Sequence, residues 1–186
     1  REVDWPGHTE ADLFAVNKVL NEQDFMPLVD IHFLLTTLKM GRHYKGQFKS
    51  TKRGAELLAN PPQLMNTLVS FYILNIDHSG YSRSGEQALG TWDVWLNVLN
   101  VEAENAATEL ELYEVFYGPL SDEPMAWRAT SAFYSCVLRP LCWAGLLLEH
   151  KDQGSIRSEA VYLKTVLWPA WLQLDTDDIV EPAQRH

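Results

Sequence analysis

Basic residues are in short supply in this chain. Fifteen Lys and Arg face twenty-five Asp and Glu, for a formal net charge of −10. The long-range field therefore repels nucleic acid and anionic lipid, and a polyanion could be held only by a local patch working against it. Cysteine is scarcer: Cys136 and Cys142 lie in an apolar run, in neither a Cys-x-x-Cys nor a zinc-ligand spacing. Two small buried hydrophobes in a reducing cytoplasm fit that pattern. No apolar run reaches the ~18 residues of a membrane span. The longest candidate, "SCVLRPLCWAGLLLEH", is broken by Arg139 and Pro140, so no membrane partner is expected. No signal peptide opens the chain, and it begins at Arg1 rather than Met, as a piece of something longer would.

Motifs for chemistry are also missing. His8, His32, His43, His78, His150 and His186 form no HExxH and no other ligand spacing. Asp77–His78–Ser79 has triad chemistry but no GxSxG elbow, and sequence neighbours seldom face one another, so it is expected to be a polar loop. No Walker or Rossmann glycine pattern occurs. Glu109, Glu111 and Glu114 crowd one segment, but carboxylates on a wet helix face keep similar affinities for protons and do no acid–base work. No catalytic residue, metal or cofactor is expected, and an enzyme is not the favoured reading.

What is present is a core. Hydrophobic residues make up 46% of 186, with seven each of Trp, Tyr and Phe, ample for a packed fold. Thr9 followed by Glu10 and Asp12 predicts a capped helix with Leu13, Val16, Val19 and Leu20 on one face. A second helix is expected over about 27–40, apolar enough to be substantially buried, with Gly41 as its terminator. Lys45–Gly46 marks a hairpin tip. An apolar helix follows over about 62–76, and the polar stretch "DHSGYSRSGEQALG" suggests a boundary. The later half predicts an acidic helix from about Ala107, ended by Gly118–Pro119. A long apolar helix kinked at Pro140 comes next, then a hairpin around "KDQGS", then a polar tail.

The two halves repeat an order: apolar helix, Gly41 or Gly145, hairpin, then Phe48 three before Thr51 or Tyr162 three before Thr165. That order predicts a mainly α chain with short β-hairpins, built as two winged-helix-like units. The first covers 1–76, a connecting segment 77–106, the second unit 107–175, and a polar tail 176–186. The bland competitor is a plain helical domain with two hairpins.

The stretches "KMGRHYKGQFKSTKRGAELLANP", "DLFAVNKVLNE", "YSRSGEQALGTWDVWLNVLNVEAE" and "VLRPLCWAGLL" resemble those of a bacterial family named after the third open reading frame of a root-inducing plasmid. The resemblance covers much of the chain. It implies a mobile-element setting and brings no catalytic residue with it.

The one basic tract, 39–54, is the best place for a site. Arg42, Lys45, Lys49, Lys52 and Arg53 could meet phosphates in a salt-sensitive, sequence-independent way. The preceding helix is a poor base reader, since its exposed candidates are Asp30, His32, Thr36, Thr37 and Lys39. A solvated wing whose charges guard its edges is the structural alternative; an acidic partner, or an acidic stretch such as Asp175–Asp178, is another. Tyr113, Phe116, Tyr117, Trp143, Trp168 and Trp171 belong mostly to the core, with some available to a partner groove. The expected function is a cytoplasmic association module, binding an unknown protein partner or itself as a dimer. Nucleic-acid binding through the wing is the second reading.

Overall fold

The computed structural model describes residues 4–5, 8–9, 13–15, 18–82, 85–151 and 159–180. The chain divides into two units, Arg1–Ile76 and Asp77–His186, and is mainly helical with short antiparallel sheets.

In the first unit β1 (Asp4–Trp5) pairs with β2 (His8–Thr9), Asp4 opposite Thr9. Thr9 is therefore a strand residue rather than a helix cap, and Glu10, Asp12 and Val16 of the expected helix lie outside the described residues. A 3-10 turn, Glu22–Asp24, leads into α1 (Met26–Thr37), where Pro27 occupies the first turn at no cost in hydrogen bonds. This helix is less buried than its composition predicts. Pro27, Asp30 and Leu34 are covered, but Leu28, Ile31 and Phe33 are 44%, 39% and 51% exposed. Its apolar residues run round most of the circumference, and a helix of that kind needs neighbours on more than one side to bury them.

Nor does Gly41 terminate α1. Lys39 takes the left-handed conformation (φ 56°); its N–H donates to Thr36 O and that of Met40 to Leu35 O, the bond pair of a Schellman stop. Gly41 instead opens β3 (Gly41–Tyr44), and a Cβ there would stand 2.2 Å from the Phe48 ring. β3 pairs with β4 (Gln47–Ser50) across Lys45–Gly46, both at positive φ (49° and 73°), as a two-residue type I′ turn requires. The hairpin tip is where the sequence puts it. Two helices follow, α2 (Lys52–Leu58) and α3 (Pro61–Asn75), and Leu34, Met40, Leu57, Val69, Tyr72 and Ile73 form the core.

The second unit opens with a 3-10 turn, His78–Tyr81, and then α4 (Trp92–Glu102). This helix lies in the stretch expected to connect the halves, yet it buries Trp95, Leu96 and Leu99. β5 (Ala107–Thr108) runs into α5 (Glu109–Tyr117). The long apolar helix is α6 (Trp127–Phe133), a π turn (Tyr134–Leu138) and α7 (Arg139–Trp143). Pro140 has no N–H to offer, and its ring crowds the carbonyl four residues back. The wider π turn just before it accommodates both facts, so the expected kink is a local change of helix type. β6 (Leu147–His150) and β7 (Val161–Lys164) follow, then α8 (Leu167–Trp171). Residues 152–155 of the expected "KDQGS" turn lie outside the described residues. The sheet order is β5–β7–β6, all antiparallel. Trp168, Tyr162, Phe133, Leu99 and Leu141 fill the core.

The polar tail begins as structure. Thr176 N–H donates to Asn97 Oδ1 at 3.2 Å, and Asn100 Nδ2 donates to Thr176 Oγ1 and Asp177 Oδ1, each at 3.0 Å. Asn100 Oδ1 accepts from Trp168 Nε1 and from Lys164 Nζ, while Lys164 also pairs with Glu104. Residues 181–186 lie outside the described residues.

One device occurs in both units. α7 stops as α1 does: Gly145 (φ 76°) donates to Cys142 O and Leu146 to Leu141 O. After each hairpin a threonine then returns to the stopped helix. Thr51 donates its N–H to Met40 O (2.9 Å) and its hydroxyl to Lys39 O (2.7 Å). Thr165 donates its N–H to Leu146 O (3.0 Å) and its hydroxyl to Gly145 O (2.6 Å). The Thr51 and Thr165 hydroxyl oxygens in turn accept from the next helix, from Gly54 N and Leu167 N respectively, each at 3.1 Å. The repeat legible as spaced letters is a repeated hydrogen-bonded clasp.

Candidate functional site

The β3–β4 hairpin has two faces because side chains alternate along a strand. In the β3–β4 register Arg42 stands opposite Lys49, His43 opposite Phe48, and Tyr44 opposite Gln47. On one face, three cations converge on the exposed Tyr44 ring: Arg42 Cζ at 5.8 Å from its centroid, Lys45 Nζ at 5.4 Å and Lys49 Nζ at 5.4 Å. The ring's negative face partly offsets their repulsion, but like charges placed directly across a ladder still disfavour the hairpin. Among the described residues, no carboxylate forms an ion pair with any of these three.

The other face holds the hairpin to α1. His32 Nδ1 is 2.5 Å from Glu22 Oε1, and its Nε2 is 2.8 Å from His43 Nε2. The Phe48 ring meets both imidazoles edge-on, at 4.9 Å and 5.3 Å between centroids. Gly41 leaves room for that ring.

Lys52 and Arg53 stand apart from the Tyr44 trio, in the first turn of α2. Cations there oppose the positive end of the helix dipole, and Lys52 only loosely pairs with Glu56, at 3.8 Å. The five basic residues thus form two groups, a trio around an aromatic ring and a pair at a helix start. The expected reading face of α1 dissolves on inspection. Asp30 is buried and accepts from the Tyr72 hydroxyl at 3.3 Å. His32 is committed to Glu22 and His43, and Thr36 donates to its own helix. Thr37 and, just past the helix end, Lys39 are exposed, but so are Leu28, Ile31 and Phe33.

The other candidates resolve as follows. The Asp77 carboxylate accepts from Ser79 N at 2.9 Å, and its bonds to Ser79 hold its pKa below the usual value. His78 is buried edge-on to Trp92 rather than lying in a wet loop. Glu111 closes a capping box with Thr108, which lowers its pKa, and Glu114 is exposed. Tyr113, Phe116 and Tyr117 pack with Phe133. Cys136 and Cys142 are free and buried, and burial raises both thiols.

Glu109 departs from expectation. It lines a cleft of about 570 Å³ in the second unit together with Trp127, Tyr134, Glu149, Lys151 and Glu159. Burial, then repulsion from Glu149 and Glu159, pushes its pKa up to about 7, against the lowering effect of Lys151. The Glu149 side chain is only 3% exposed. Spacing along α5 could not reveal this, because the partners, Glu149, Lys151 and Glu159, come from β6 and the residues that flank the β6–β7 pair. In the sequence Glu109 reads only as one carboxylate of an acidic helix.

Comparison with known proteins gives consistent matches. A family model described as the Y4jL N-terminal domain matches residues 1–63, and one described as the y4jL C-terminal domain matches 82–166. The chain is 32% identical over 148 residues to the protein named "Uncharacterized protein y4jL" of Sinorhizobium fredii (strain NBRC 101917 / NGR234), covering 75% of this chain and 67% of that one. No solved structure matches the chain.

Proposed function

The chain belongs to the y4jL family, and from that premise we propose that it is a non-enzymatic association module of two winged-helix-like units. The order β5, helices, β6, β7 with β7 central supports that reading, as does the helix–hairpin–helix order of the first unit. The reading extends the likeness to the root-inducing-plasmid group, with its mobile-element setting, and it assigns the protein to the cytoplasm, where the free Cys136 and Cys142 would stay reduced.

The partner is an acidic protein surface, and a second copy of this acidic chain is the first to test. One observation carries this: Arg42 and Lys49 face each other across the wing with Lys45 beside them, a repulsion that an incoming carboxylate would relieve. The exposed Leu28, Ile31 and Phe33 of α1 add apolar area of the kind that interface centres use. Sedimentation velocity at ~0.05 M and ~0.5 M salt tests it, because such a contact weakens as screening grows. Self-association should appear at low salt and disappear in Lys45→Glu/Lys49→Glu. A strictly monomeric parent at both salts would refute self-association.

A second reading rests on the same trio. An exposed Tyr ringed by cations is also how sequence-tolerant proteins hold a single strand, by stacking a base and neutralising phosphates. Fluorescence anisotropy with an oligothymidine probe distinguishes the two. Binding lost in Tyr44→Ala, by a parent that stays monomeric, would favour nucleic acid.

A further inference from the structure

The cleft of the second unit is untouched by the proposal above. Its volume of about 570 Å³ is in the ~300–1,000 Å³ range of small-molecule sites. Its polar lining is unbalanced: Glu109, Glu149 and Glu159 face Lys151 as the one cation among the described lining residues. Lys151 answers one of these three carboxylates closely. Its Nζ lies 2.7 Å from Glu149 Oε1, but that oxygen has no aligned hydrogen bond among the described residues, and Lys151 is 61% exposed. The other Glu149 oxygen accepts only a long bond, 3.4 Å, from Tyr134.

The strand partner of Glu149 is also short of hydrogen bonds. Tyr162 is fully buried, and its hydroxyl has no hydrogen-bond partner among the described residues. It stands directly across the β6–β7 ladder from Glu149, and its hydroxyl feels the charge of both Glu149 and Glu109. A buried hydroxyl left unpaired is costly. Trp127, half exposed, lines the cleft together with Glu109 and Glu149.

We infer that this cleft binds a small organic amine, a primary ammonium on a short apolar chain, with Glu149 and Glu109 taking the charged end and Trp127 and Tyr134 flanking the carbon body. A three-donor ammonium supplies hydrogens to oxygens that lack them, and aromatic walls attract a cation and its alkyl chain together.

The test is isothermal titration of the full chain with butylammonium, with butyrate as the anionic counterpart and with N-acetyl-lysine amide. Butylammonium should bind and butyrate should not. Glu149→Gln should weaken binding at least tenfold, and Glu114→Gln, exposed on the same helix as Glu109, should leave it unchanged. The groups facing Glu109 are Glu149, Glu159 and Lys151. Because the amine takes the ionised form, its affinity should fall by up to about tenfold from pH 8 to pH 6, as the competent fraction shrinks. If Glu149→Gln does not fold by circular dichroism, Glu109→Gln and Glu159→Gln carry the test. Absence of butylammonium binding, equal binding of butyrate, or parental affinity in every folded cleft variant would overturn the assignment. Binding of the lysine amide tenfold tighter than butylammonium would overturn the free-amine source in favour of a partner's lysine side chain.

Discussion

Thr51 and Thr165 each make a backbone and a side-chain bond to the end of the preceding helix and then receive one from the helix that follows. Replacing either with valine keeps the shape, removes the hydroxyl and leaves two groups short of a partner. We expect a loss of ~1–2 kcal/mol for each, read as a fall in Tm, with Thr→Ser recovering most of it. Glu109 answers to pH in an unusual sense. Its folded pKa, about 7, lies above the ordinary 4.5, so the fold favours the protonated carboxyl. No cost exists while both states are protonated; the cost grows as pH rises from about 4.5 to about 7 and then stays. Glu109→Gln should therefore stabilise the protein by ~1 kcal/mol at pH 8, after discounting for solvent at a partly exposed group, and leave stability at pH 4 unchanged. Equal gains at both pH values would show that charge is not the cause.

Among the elements, the helix stops show how much was legible. The sequence put a glycine at the end of both long apolar helices. Gly145 is that glycine, but at α1 the left-handed position is held by Lys39, and Gly41 serves the wing by admitting Phe48. Spacing alone cannot separate a glycine needed for its φ from one needed for its missing Cβ. Lys39→Gly should stabilise by ~1 kcal/mol and Gly145→Ala should destabilise by at least as much, measured by urea unfolding. The hairpin tip at Lys45–Gly46 was legible because its turn chemistry is local. The exposure of Leu28 and Phe33 and the burial of Asp30 were not, because they depend on which neighbours cover which side of α1. The cleft around Glu109 was hidden for the same reason: its charges converge only once β6 and β7 pair.

For the whole molecule, net charge sets the terms of any contact. If a chain at −10 meets a polyanion through the β3–β4 hairpin, binding should be weak and steeply dependent on salt. If Arg42, Lys45 and Lys49 are the phosphate contacts, log K against log salt for a single strand should slope at about −2. A slope several times steeper would implicate cations outside the trio. The threonine clasps have an effect on a larger scale. Each seals its wing at the base, so the geometry of the helix pair below is fixed before the chain reaches the tip. The tip is then free to change length: residues 45–46 span it in one unit and residues 151–160 in the other. Lengthening a closed loop costs only ~0.6 kcal/mol per doubling. A flexible peptide inserted between Lys45 and Gly46 should leave Tm within a few degrees of the parent, which makes the wing a ready graft point for a reporter.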